Sequence, residues 1–215
     1  MGFIAKNSGG GDFKKVPPGN HVARCYSIID MGTQTMSGQF GEQSAHKIRL
    51  GFEVLGEDED GTPMMVSING KSMPMTIDKE YTVSMHEKAN LRKELAAWRG
   101  RAFTAEEAAA FDVSKLLGQY CLLNVAHKDA ANGKTYANIV GISPLPSALK
   151  NTKPAGVHPL VRFDLDAPDI NVFESLSEWL QNKIKAAPEW DRKGKSSRDE
   201  EIIDDAEIDL EDCPF

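Results

Sequence analysis

A mainly β protein, a small barrel with helices inserted into it, is what the sequence predicts, and three observations predict it. Much of the first half of the chain, and the stretch from Gln119 to Ser143, alternates apolar and polar residues at the period of two that strands require. Between them, from Ser84 to about Phe111, apolar residues recur at helical spacing. The 215 residues, 40% hydrophobic and 27% charged, can bury one proper core with appendages, and a second full domain would be cramped.

The elements follow in order. Residues 1–15, with GGG at Gly9 to Gly11, form a flexible arm. GNHVARCYSIIDMG is rich in β-formers and makes the first strand. SAHKIRLGFEVLG makes the second, with His46, Ile48, Leu50, Phe52 and Val54 on one face and Lys47, Arg49 and Glu53 on the other. His46, on the apolar face, is expected to be a hydrogen-bonded core histidine. The polar loop TQTMSGQFGEQ joins the two strands and carries Phe40. After the acidic turn EDEDG, MMVSING offers a third strand, and PMTIDKEYTVSM an extension or an extra hairpin strand.

SMHE at Ser84 reads as a capping box, in which a hydroxyl and a glutamate satisfy each other's backbone N–H groups at a helix start. Leu91, Leu95 and Trp98 follow at helical spacing, and Gly100 is the stop. TAEE repeats the box at Thr104 for a short Ala-rich helix. QYCLLNVAHK and KTYANIVGIS then form a hairpin around Asn132-Gly133. SPLPSALKNTKPAGVHP is a linker or a strap over the barrel. A last helix runs from Asn171 to about Ala187, with Phe173, Leu176, Leu180 and Ile184 on one stripe and Pro188 at its end.

Three strands, a helix and two strands is the element order of the OB-fold, a five-stranded Greek-key barrel. That fold binds oligonucleotides or oligosaccharides on the face of strands 2 and 3 and with the loops after strands 1 and 4. Here those loops are the one with Phe40 and the one from Lys128 to Lys134. The expected organisation is an arm (1–15), a barrel (16–143), a strap and helix packed on it (144–190) and a disordered tail (191–215).

Several function classes lose support. No apolar run approaches the roughly 20 residues of a membrane span, and the first residues lack the apolar centre of a signal peptide, so a cytoplasmic protein without membrane contact is expected. Cys25, Cys121 and Cys213 have neither disulfide-framework nor zinc spacing. GxxxxGK[ST], GxSxG and HExxH are absent, and His21, His46, His86, His127 and His158 are dispersed. The expectation is a protein that is not an enzyme and needs no cofactor or metal.

The net charge of −7 divides unevenly. Nine acids and no Lys or Arg follow from Asp199, whereas the rest of the chain sets 25 basic residues against 23 acids, a net of about +2. A cationic body with an acidic tail suits binding of a polyanion. A single-strand binder needs cations for phosphates and aromatic faces for unpaired bases. Arg24 and Tyr26 share a face of the first strand, Lys47 and Arg49 project from the second, and Lys71 follows the third. Lys128 and Lys134 bracket the late loop, with Tyr136 beyond it, and Phe40 stands in the early one. The bland alternative places Tyr26 and Tyr136 in the barrel wall and makes the cations ordinary surface residues. Trp98 and Phe52, among apolar neighbours, belong to the core.

The ending DLEDCPF is similar to the acidic tip of bacterial single-stranded DNA-binding proteins, with Cys213 where that tip has Ile. VPPGNHVARCYSIIDMGTQ and HEKANLRKELAAWRGRAFT resemble the single-stranded DNA-binding proteins of tailed phages. The resemblance covers residues 16–143 and the tip. It implies a protein that coats single-stranded DNA in replication and recombination and recruits partner proteins through Asp209, Glu211, Asp212, Pro214 and Phe215. It leaves room for a homo-oligomer. The insertion around Thr104 to Leu117 and the last helix depart from the minimal bacterial form, so its tetramer does not carry over. A protein-interaction adaptor, or an accessory factor of a nuclease or recombinase, is the alternative.

Overall fold

The computed structural model describes residues 14–38, 41–58, 60–68, 70–131, 133–151 and 153–191. Phe40, Cys213 and the tail residues Asp209, Glu211, Asp212, Pro214 and Phe215 lie outside the described residues, as does most of the expected arm.

The protein is mainly β, with 43% of the described residues in strands. The strands are β1 (Gly19–Gly38), β2 (Gly41–Leu55), β3 (Met65–Ile68), β4 (Lys71–Pro74), β5 (Thr76–Thr82), β6 (Tyr120–Asp129), β7 (Thr135–Ser143) and β8 (Val161–Phe163). Five lie in the sheet order β5-β2-β1-β6-β7, β8 also pairs with β1, and β3 and β4 form a separate two-stranded sheet. The helices are α1 (Asn90–Arg99), α2 (Ala105–Ala109), α3 (Ser147–Lys150), α4 (Ile170–Ser175) and α5 (Glu178–Lys185), with a 3-10 turn over Val113–Leu116. No described helix is long and apolar enough to cross a membrane.

The chain divides into two compact units. One takes the described residues up to Ile28 with those of Arg49–Arg162, the other those of Ile29–Ile48 with the described residues from Phe163 onward. In the first unit, strand alternation buries Ala23, Cys25, Leu50, Phe52, Val54, Cys121, Leu123, Val125 and Ile139. Each large side chain among them contributes about 1.5–3 kcal/mol by leaving water. Burial also pushes the Cys25 thiol up to about 12 and raises Cys121 well above its ordinary value, so both stay protonated.

Helix α1 lays Leu91, Leu95 and Trp98 on this core. The Trp98 ring lies 5.7 Å from that of Phe52, and its Nε1 donates to the Tyr120 carbonyl at 2.9 Å. Gly100 ends the helix at φ 72°, a left-handed conformation open to glycine, with its N–H turned back to the Ala96 and Ala97 carbonyls. The two end strands of the sheet path approach one another beneath α1. Lys79 of β5 donates to the Ile139 carbonyl of β7 at 2.9 Å and pairs with Glu94 of α1 at 2.6 Å.

The second unit is smaller. Phe173 stacks on Trp190 at 4.4 Å and lies 5.8 Å from Phe163. Glu189 accepts from the Thr33 N–H at 3.0 Å and from its hydroxyl, and Ala187 and Leu165 close on Gly32, where no side chain would fit.

Several elements differ from expectation. Most of the expected loop TQTMSGQFGEQ is strand, since β1 runs to Gly38 and β2 starts at Gly41. Its polarity reflects exposure, and the Thr35 and Ser44 hydroxyls meet across it at 3.0 Å. MMVSING supplies a strand of the side hairpin, while β5 takes the place in the main sheet. The capping box at Ser84 does not form. Helix α1 starts after Ala89 without a side-chain cap, whereas the box at Thr104 is complete. The last helix is two, α4 and α5, because Leu176 adopts extended backbone between Ser175 and Ser177. His46 is half exposed, and its Nε2 faces Asp30 Oδ1 at 2.7 Å.

Candidate nucleic-acid interface

Along β6, odd-numbered positions from Cys121 to Val125 face the core, so Asn124, Ala126 and Lys128 face outward. The register with β7 sets Lys128 opposite Tyr136 and Ala126 opposite Asn138. The register with β1 sets Asn124 opposite Asn20, and the Asn124 amide donates to Asn20 Oδ1 at 2.9 Å. An irregularity between Asn124 and Val125 brings Gly141 opposite Asn124 and leaves Val140 exposed. The result is a low strip of amides and small side chains across three strands, ending in an aromatic ring and a cation. Tyr136 is 47% exposed, and Lys128 and Lys134 are exposed beside it in sequence and register.

The other half of the outward face is covered. Residues 153–160 cross it as a strap in which no helix or strand forms. Glu53, fully buried, accepts from the backbone N–H groups of Val157 and His158 at 3.0 and 2.9 Å. Its other oxygen pairs with Arg24 Nε at 2.5 Å as charges, without hydrogen-bond alignment. Arg24 also donates to the His158 carbonyl, and the His158 ring lies 4.9 Å from that of Tyr26. Gly156 permits this approach, since a Cβ there would fall 1.8 Å from the Arg24 guanidinium carbon. Tyr120 donates to the Pro154 carbonyl at 2.9 Å, and the Lys153 ammonium sits 4.6 Å over its ring.

The sequence-predicted residues therefore separate. Arg24 and Tyr26, expected to meet phosphate and base, are occupied by the strap and by Glu53. Their alternation matches that of the open positions, and nothing local distinguishes them. Arg49 is held by Asp78 at 2.9 Å and Glu80 at 3.4 Å. Burial pushes the Asp78 carboxyl above its usual range, while Arg49 draws it back. Lys71 is exposed at the start of β4, beside the turn at Gly70. Lys47 stands on the part of β2 that belongs to the second unit. The structure brings Lys128, Lys134 and Tyr136 together and adds Asn20, Asn124 and Asn138. Asn124 was findable, because it lies four positions before Lys128 on one strand and positions four apart on a strand share a face.

Among the described residues, no group of His, Cys, Asp and Glu is arranged to hold a metal ion. A cleft beside α1 includes none of the expected DNA-binding residues. No family model matches the chain, and no curated protein matches it.

Proposed function

We propose that the protein binds single-stranded DNA without sequence preference, as an OB-type barrel whose open β6–β7 face carries the strand. The observation that carries this reading is the cross-strand pair of Lys128 and exposed Tyr136, continued by the amides of Asn138, Asn124 and Asn20. A ring stacks on any base, an ammonium neutralises a phosphate, and amides serve either donors or acceptors, so such a strip grips a single strand without reading it. The barrel reading is supported by the sheet order β5-β2-β1-β6-β7, by the approach of β5 to β7, and by α1 falling between β5 and β6, the third and fourth of those five strands in chain order. The division of charge between body and tail supports a polyanionic ligand. Replication and recombination in a bacterial cytoplasm are the setting of this activity, and the acidic segment recruits partner proteins.

Fluorescence titration with oligo-dT at several salt concentrations tests the reading. Lys128→Ala and Lys134→Ala should each lower the log–log salt slope by roughly 0.7, the value for one lost single-strand phosphate contact. Tyr136→Ala should cost about 1–3 kcal/mol of binding, and Tyr136→Phe little, because the π-face remains. Absence of oligo-dT affinity in the unaltered protein would leave the barrel as a protein-binding adaptor, and a preference for duplex would make it an accessory factor.

A further inference from the structure

The cleft beside α1 has a volume of about 620 Å³, within the roughly 300–1,000 Å³ of small-ligand sites. Its apolar lining comes from Trp98 of α1, from Phe103, Phe111 and Leu116 of the stretch around α2, and from Leu145 after β7. The insertion between α1 and β6 and the segment after β7 thus build a hollow that the sheet alone would not have. Phe103 and Phe111 meet edge to face at 5.1 Å, which fixes one wall.

The rim is cationic. Lys115, Lys150 and Lys153 are exposed around it, and no described carboxylate lies within ion-pair distance of any of the three. Arg99 stacks on Phe103 at 4.3 Å, and both of its terminal nitrogens go to Glu107. Glu107 is also held by Arg101 and the Thr104 N–H, and these partners keep its carboxyl down at about 2. The Asp112 carboxyl, exposed beside Lys115, is held below its usual range by the Ser114 side chain and N–H and then by Lys115. With Glu107 satisfied by its own arginines, Lys115, Lys150 and Lys153 leave the rim a positive surplus.

A ligand for such a place is an apolar ring on an anionic chain, and the protein carries one. Residues 205–215, DAEIDLEDCPF, combine five acids, no base and a final Phe215. We propose that this acidic segment docks on its own chain in the α1 cleft, with the Phe215 ring between Trp98 and Phe111 and the acids against Lys115, Lys150 and Lys153. The 24 residues from Asp191, the last described, to Phe215 span up to about 80 Å when extended. A docked segment is withheld from partner proteins while leaving Lys128 and Tyr136 uncovered. The assignment extends the tail's role under the proposed function but rests on the cleft and its charge.

The test is fluorine NMR of the full chain with 4-fluorophenylalanine incorporated for Phe, the Phe215 resonance being assigned by Phe215→Leu. That resonance should be shifted and broadened relative to the free peptide DAEIDLEDCPF. In the double variant Lys115→Glu, Lys150→Glu it should return to the free position, with docked population falling about tenfold for two reversed rim charges. An unchanged circular-dichroism melt shows that the variant is folded, and Phe111→Ser, which removes wall without charge, gives a second loss of docking. A resonance at the free-peptide position in the unaltered protein overturns the proposal. A shifted resonance indifferent to the cleft variants but released by Lys128→Glu also overturns it, placing the segment on the β6–β7 face. Loss of oligo-dT affinity in the double variant overturns it a third way, by giving the cleft to DNA. Failure of oligo-dT to bind the unaltered protein would sink the single-strand reading and leave the fluorine result standing.

Discussion

Arg24 and Lys128 show how alike two cations look in a sequence and how differently they are used. Both stand on strands at outward positions, yet Arg24 is 14% exposed and paired with the fully buried Glu53, whereas Lys128 is open. The difference comes from residues 153–160, more than a hundred positions away in the chain, and alternation cannot report a cover supplied from such a distance. Two physical roles predict two kinds of failure. Arg24→Ala strands a carboxylate in the interior, so unfolding free energy in urea should fall by about 3–5 kcal/mol, while the salt slope of oligo-dT binding by the folded fraction stays as it was. If instead the slope dropped by about 0.7 with stability intact, Arg24 would be a phosphate contact and the strap would have to leave its place on binding DNA.

At the scale of elements, periodicity was readable where burial enforced it, and local chemistry was readable only where geometry completed it. The strands around Phe52 and Leu123 and the stripe Leu91, Leu95 and Trp98 all lie where alternation or helical spacing puts them, because each buries a face. The polar end of β1 and the polar start of β2 were not readable as strand, since they bury no continuous face and their composition is that of a loop. The two capping boxes make the same point. TAEE closes, with the Thr104 hydroxyl accepting from Glu107 N–H and Glu107 answering at the Thr104 N–H, whereas at SMHE the helix waits until Asn90. Thr104→Ala should therefore lower stability by about 1 kcal/mol, and Ser84→Ala should change it by less than about 0.5 kcal/mol. Thermal melts of the two variants decide between them, and equal losses would mean that a box also forms at Ser84.

At the scale of the whole molecule, the decisive quantity is the separation of charge, which the sequence displays without any structure. A body of about +2 and a segment carrying nine acids attract one another across any geometry the chain allows. DNA and the acidic segment then compete for the same field, even where they occupy different surfaces. Deleting residues 199–215 should strengthen oligo-dT binding at low salt. The gain should shrink as the Debye length falls from about 30 Å at 0.01 M to about 10 Å at 0.1 M, because the segment acts on the β6–β7 face through the field and not by contact. Phe215→Ala keeps every charge and releases only the ring, so it should leave oligo-dT affinity nearly unchanged while freeing the segment from the α1 cleft. Titrations of the deletion, the point variant and the unaltered protein at three salt concentrations separate these effects. If the deletion strengthened binding equally at all three, the acids would be acting by direct occupancy of the β6–β7 face, and Lys128 and Lys134 would be their seat.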